Sequence, residues 1–78
     1  MKKATLTNNQ IEILKYNLEI AIKYHDDNET ITAKLKEIDS FLKMAFDLHI
    51  IDDYSDITKI MKTIGDAGIQ ALNKKNIA

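Results

Sequence analysis

Hydrophobic residues repeat with the spacing of α-helices in three successive segments of this chain. The pattern predicts helices over residues 8–24, 30–49 and 54–73, and the chain holds only two glycines and no proline to interrupt them. Short connections at residues 25–29 and 50–53 imply that neighbouring helices pair antiparallel. The predicted fold class is all-α: a small antiparallel bundle of three helices in a single domain, residues 1–78, resembling a four-helix bundle that dimerisation could complete.

The sequence also marks where the helices begin. Thr7 and Gln10 have the spacing of a capping box, in which each side chain accepts a hydrogen bond from the other residue's backbone. The later helices have two candidate N-caps each, namely Asn28 or Thr30 for the second and Asp53 or Ser55 for the third.

The first helix is more apolar than a surface helix needs to be. At about 100° per residue its apolar arc covers well over half of the circumference, which one neighbouring helix cannot cover. The helix is therefore either central in the fold or shared with a partner. We expect self-association, as a homodimer, through a seam that includes some of four residues: Ile13, Asn17, Ile20 and Tyr24.

Asn17 lies in the middle of this apolar arc and has two interpretations. Its side chain can be hydrogen-bonded to a neighbouring helix or to water, as polar groups within apolar surroundings usually are. Alternatively, it fixes the register of an oligomer, as a single asparagine does in coiled coils.

Two glycines three residues apart lie inside the otherwise regular third helix. Each glycine costs roughly 1 kcal/mol relative to alanine, so a gain from the missing side chains is expected. Gly65 and Gly68 either allow a close helix crossing inside the monomer or form a docking groove for a partner's helix. The second alternative predicts a partner-binding site composed of Ile64, Gly65, Gly68, Ile69 and Leu72.

Composition argues against several functions. The formal net charge is −1 and every basic residue is lysine, so the arginine and net positive charge typical of nucleic-acid binders are missing. Cysteine is absent, and His25 and His49 fall at opposite ends of an antiparallel pair, so no metal site or other cofactor is expected. No catalytic constellation, membrane-spanning run or signal core is recognisable, and a non-enzymatic cytoplasmic protein is predicted.

The run from Ile57 to Leu72 resembles the C-terminal helix of enterocin A-type immunity proteins, above all at Ile64-Gly65-Asp66-Ala67-Gly68-Ile69. Those proteins protect producers of class II bacteriocins from their own peptide. The resemblance implies a cytoplasmic, non-enzymatic four-helix bundle that acts on the complex between the bacteriocin and a membrane sugar-uptake receptor. It places specificity in the C-terminal half, here residues 64–72 and the tail 73–78.

This chain departs from that family in having three predicted helices instead of four. A missing first helix would leave apolar surface bare on residues 8–24, which again favours a dimer. The composition, rich in lysine, isoleucine and asparagine, fits the low-GC Gram-positive bacteria that carry such proteins.

A rival hypothesis fits the same sequence. A phage- or plasmid-borne regulator, such as an antitoxin or antirepressor that binds and inhibits one protein, would also be small, helical and without catalytic residues. The neighbouring genes distinguish the two, because a bacteriocin precursor gene favours immunity and phage or toxin genes favour the regulator. A nucleic-acid-binding module is a third hypothesis, and its binding would weaken steeply with salt.

Overall fold

The computed structural model describes residues 3–77, which form three helices and, within that range, no strand. The helices are α1 (Asn8–Tyr24), α2 (Asn28–Asp47) and α3 (Tyr54–Ile77). The all-α prediction is confirmed. The first helix has the predicted bounds, whereas α2 begins and ends earlier than predicted and α3 continues beyond residue 73.

Acidic and hydroxyl side chains start the helices. The capping box of α1 is present, since Thr7 N donates to Gln10 Oε1 at 2.8 Å and Gln10 N donates to Thr7 Oγ1 at 3.2 Å. At α2 both predicted caps are wrong. Asp27, the extended residue directly before the helix, accepts from Thr30 N at 2.9 Å. Asp53 is confirmed at α3, because its carboxylate accepts from the backbone N–H of Ser55 at 3.0 Å.

The end of α2 is set by a left-handed residue. His49 has a φ of 61°, and the two N–H groups at residues 49 and 50 turn back onto the carbonyls of Phe46 and Ala45, at 3.1 and 2.9 Å. These two bonds are the Schellman motif, which usually has glycine at the left-handed position. Since a histidine takes that position, the helix ends two residues before the predicted boundary.

The core is formed by apolar side chains from all three helices and from the segments that flank them. α1 packs most extensively against α3, and it also packs against α2. The buried residues that form the main core cluster are Leu6, Leu18, Ile22, Ile38, Leu42, Ala45, Ile51, Ile57, Ile60 and Ile64.

The segment before α1 is fixed to the loop between α2 and α3. Ala4 N donates to the carboxylate of Asp52 at 2.8 Å, and Asp52 N donates to the carbonyl of Ala4 at 2.9 Å. Lys3 forms an ion pair with Asp53 at 3.2 Å, and Leu6 is buried beneath this contact. The start of α1 therefore lies beside the start of α3.

The other ends of α1 and α3 are joined by one lysine. Lys75 Nζ donates to the carbonyls of Ile22 and His25, at 2.7 and 3.1 Å, and lies 2.6 Å from the carboxylate of Asp26. The ammonium group thus satisfies carbonyls that the last turn of α1 leaves without a helical partner. Together the two end contacts show that α1 and α3 run parallel and that α2 runs antiparallel to both.

Replacing Lys75 with methionine is expected to lower the free energy of unfolding by about 1 kcal/mol, since a partly buried bond to the Ile22 carbonyl and an exposed bond to the His25 carbonyl are lost. The contribution of Asp26 is small, because its side chain is 93% exposed and solvent screens the pair. Methionine keeps the aliphatic packing of the lysine stem. Urea denaturation of Lys75→Met beside Lys74→Met, its exposed neighbour, measures the difference; equal losses in the two variants would contradict the capping role.

The helix caps also predict acid sensitivity. Hydrogen bonds from the backbone and hydroxyl of Ser55, and then the contact with Lys3, lower the pKa of Asp53 from 3.8 to about 2. Thr30 likewise lowers the pKa of Asp27. A carboxyl group whose pKa is lower in the folded state stabilises the fold above its unfolded pKa, and this stability is lost as the pH falls towards the folded value.

Thermal unfolding followed by circular dichroism should therefore show a falling melting temperature between about pH 4 and pH 2. In Asp53→Asn the amide still caps the helix but does not titrate, so the fall should be shallower than in the wild type. An identical pH profile in the variant would show that Asp53 does not contribute to the acid sensitivity.

Candidate protein-binding surface

Most of the exposed large hydrophobic side chains lie on one side of the molecule. Ten are exposed in the described part of the chain, and two of these, Tyr54 and Ile69, belong to α3. The other eight form what we call the apolar face: Ile13, Tyr16, Ile20 and Tyr24 of α1, Phe41 and Met44 of α2, and Leu48 and Ile50 after it.

The apolar face points away from α3. α3 packs on the side of α1 that carries Leu18 and Ile22. At 100° per residue, Ile13 and Ile20 lie on the opposite side of α1, more than 120° from Leu18. Ile13, Phe41 and Ile50 line one depression of this face, and Tyr16, Ile20 and Tyr24 line another. Grouped exposed apolar side chains of this kind are typical of interaction sites.

A groove between α1 and α2 runs along the apolar face. One end is apolar and is lined by Leu6, Gln10, Ile13, Leu14, Phe41 and Ile50. The other end is lined by Leu14, Asn17, Lys34, Glu37, Ile38 and Phe41. Both ends are lined by Leu14 and Phe41, so the two depressions lie side by side along α1 and α2. Lys34 and Glu37 pair with each other at 3.3 Å, so the charged side chains that line the groove neutralise one another.

The residues predicted for a self-association seam all lie at the surface. Ile13, Ile20 and Tyr24 belong to the apolar face, and Asn17 is exposed between them at the polar end of the groove. Because Asn17 is exposed, its side chain is open to hydrogen bonds with water, as the first of its two interpretations allows, and the register role stays a hypothesis. Self-association itself stays a prediction.

The glycine pair has two different environments. A Cβ atom on Gly68 would lie 2.8 Å from Leu18 Cδ2 and 3.6 Å from Ile22 Cδ1, whereas a Cβ on Gly65 would meet nothing within 4 Å. Gly68 is therefore the point where α3 crosses α1 closely inside the monomer. The missing side chain at Gly65 has no such role.

The predicted partner-binding site on α3 needs correction. Ile64 is 0% exposed and Gly68 is buried, so a surface role for these two residues is wrong, because neither presents atoms to a partner. Leu72 is half-buried and packs against the core. Ile69 projects outwards with 59% of its surface exposed, but it is separated from the apolar face by the thickness of the bundle.

The acidic side chains near the helix starts have structural roles. The acidic residues at the helix starts are engaged in caps and end contacts, as described for Asp27 and Asp53. Among residues 3–77, no three His, Cys, Asp or Glu side chains come together as a metal-binding group. None of the three described helices is both long enough and apolar enough to cross a bilayer.

Comparison of the chain with protein-family models, with curated proteins and with solved structures finds no match.

Proposed function

We propose that this chain is a non-enzymatic helical module that binds another protein through the apolar face. The observation that carries the proposal is the collection of eight exposed large hydrophobic side chains on one side of a bundle of 78 residues. Apolar surface left in water forgoes about 25 cal/mol per Å² of stabilisation that burial would provide. A protein that keeps such a surface beside a groove between two helices is suited to bind an amphipathic helix.

The form of this function that we propose is bacteriocin immunity. The six residues that resemble the enterocin A-type immunity proteins include Gly68, which in this structure allows the close crossing of α1 and α3. A close helix crossing at this glycine is compatible with a helical bundle, which is the fold that the resemblance implies. In this proposal the chain works in the cytoplasm of a Gram-positive producer and recognises a bacteriocin–receptor complex.

A protection assay tests the proposal. The chain is expressed in a sensitive Gram-positive strain, and survival is measured against a panel of class II bacteriocins. Two variants locate the binding surface: Ile13→Glu on the apolar face and Ile69→Glu on α3. They are closely matched, because both residues are helical isoleucines, with 60% and 59% exposure.

The wild type and Ile69→Glu are expected to protect, and Ile13→Glu is expected to lose protection while keeping the circular dichroism spectrum of the folded helices, because a charge is placed in a surface that must lose water. Loss of protection in Ile69→Glu alone would move the binding surface to α3. No protection by the wild type against any bacteriocin of the panel would refute the immunity role.

A further inference from the structure

We propose that, when no target is present, the apolar face is covered by a second copy of this chain, packed antiparallel about a two-fold axis at Asn17. The inference rests on the proposed function in one respect, since the dimer would form through the same apolar face that binds the target. A target that binds this face would then displace the second copy.

The surface area of the monomer supports a partner of this size. A folded monomer of 8.9 kDa is expected to expose about 4,800 Å². This chain exposes 5810 Å², an excess of about 1,000 Å² over that expectation. A standard protein interface removes about 800 Å² from each partner, so a dimer would bring the exposed area to an ordinary value.

The elongated shape of the molecule also favours a dimer. The radius of gyration is 13.3 Å, against about 11.5 Å for a compact chain of this length. The molecule measures 47 × 20 × 16 Å, so it is long and thin. Two copies packed side by side along their long axes would form a thicker bundle, with α1 and α2 of each copy in the middle and the two α3 helices outside.

The sequence of α1 shows why the partner is a second copy. Five residues recur along the apolar side of α1 at intervals of three and four: Gln10, Ile13, Asn17, Ile20 and Tyr24. This row is nearly symmetric about Asn17, with an isoleucine on each side and a hydrogen-bonding side chain at each end. In a two-fold interface every contact between unlike residues occurs twice, and this row, with similar residues near mirrored positions, is complementary to itself.

The proposed axis pairs these residues as follows. Ile13 lies beside the partner's Ile20, and Gln10 lies beside the partner's Tyr24. The two Asn17 side chains face each other, and because an amide both donates and accepts, each can satisfy the other. One polar pair within an apolar seam fixes its register.

Charge does not oppose this arrangement. Lys34 and Glu37, which line the groove next to Asn17, already neutralise each other at 3.3 Å. Two copies therefore meet without repulsion between like charges, whereas an acidic or basic partner would find little net charge to recognise.

Disulfide cross-linking tests the arrangement directly, because the chain has no cysteine of its own. Asn17→Cys should form a disulfide-linked dimer under mild oxidation, since the axis brings the two Cα atoms close together. Ile13→Cys alone should not, because antiparallel packing separates the two copies of residue 13 by about eight residues, roughly 12 Å along the helix. A mixture of Ile13→Cys and Ile20→Cys should cross-link, and Ile69→Cys, on α3, should form the dimer without a disulfide cross-link.

Sedimentation equilibrium provides the second measurement. The wild type should sediment as a dimer of about 18 kDa, twice the 8.9 kDa chain, at high micromolar concentration. Asn17→Asp places two carboxylates on the axis and should weaken dimerisation about tenfold or more. Asn73→Asp adds the same charge to the exposed side of α3 and should leave the dimer unchanged.

Each outcome decides the inference. A monomer at high micromolar concentration overturns it, including a monomer that instead binds lipid vesicles. Efficient cross-linking of Ile13→Cys to itself overturns the antiparallel arrangement. A monomeric wild type whose protection is lost in Ile13→Glu would refute the dimer and leave the proposed function standing, whereas a dimer without protection would do the reverse.

Discussion

Replacing Gly68 with leucine is expected to destabilise this protein by about 1–3 kcal/mol or more, the usual cost of adding volume to a packed core. A Cβ atom alone would lie 2.8 Å from Leu18 Cδ2, closer than two carbon atoms can approach. Leu18 cannot easily move aside, because only 1% of its surface is exposed and core atoms surround it. The three further carbons of leucine would force α3 away from α1.

Alanine variants at both glycines provide the matched control. Gly65→Ala adds a methyl group to open space and should stabilise the helix by up to about 1 kcal/mol. Gly68→Ala gains the same helix propensity but must displace the Leu18 methyl group, so it should be less stable than Gly65→Ala. Urea denaturation measures all three variants; a fully stable Gly68→Leu would show that α1 and α3 do not cross closely at this glycine.

The second large effect is expected at Ile64. Its side chain is completely buried, and Ile64→Ala should lower the free energy of unfolding by about 2–5 kcal/mol, the range for truncating a core isoleucine. A domain of 78 residues is stable by only about 4–12 kcal/mol, so this one change could remove much of the total.

Ile69 is the matched control for Ile64, since it is the same residue type on the same helix. It is 59% exposed, and Ile69→Ala should change the free energy of unfolding by less than about 0.5 kcal/mol. Denaturant midpoints that coincide for the two variants would mean that the buried and exposed sides of α3 have been assigned wrongly.

The sequence predicted the helices because hydrophobic spacing and capping are local properties. Both bounds of α1 were predicted correctly. Its start was recognisable because the two capping-box residues, Thr7 and Gln10, lie within four residues of sequence. The boundaries that failed depend on less local features. α2 ends early at a left-handed histidine, whereas a glycine at that position would have been recognisable in the sequence. α3 continues past residue 73 and includes Lys75, which binds carbonyls about 50 residues away along the chain.

The candidate surface was only half predictable, for a related reason. Periodicity shows which residues are apolar, but the packing of the other helices decides which of them are covered. The wide arc of α1 exceeded what one neighbour covers, and so indicated Ile13 and Ile20. Phe41 of α2 and Leu48 after it continue the helical spacing of the core residues, yet the structure leaves both exposed.

The glycine pair also shows that the sequence alone does not reveal which residues the other helices cover. Two glycines in one helix suggested a special surface, and the sequence could not separate an internal crossing from a docking groove. The distinction depends on the neighbour that lies opposite each glycine, which is Leu18 for Gly68 and open space for Gly65.

A dilution series of amide proton–nitrogen NMR spectra tests most directly whether the apolar face is the interaction surface. Between high and low micromolar concentration, the account predicts shifts in signals from residues 10–24 and 37–50, while those from Ile69 and Asn73 on the outer side of α3 stay in place. Shifts confined to Ile69, Asn73 and their neighbours would contradict the assignment of the interaction surface, and spectra that do not change with concentration would contradict self-association through it.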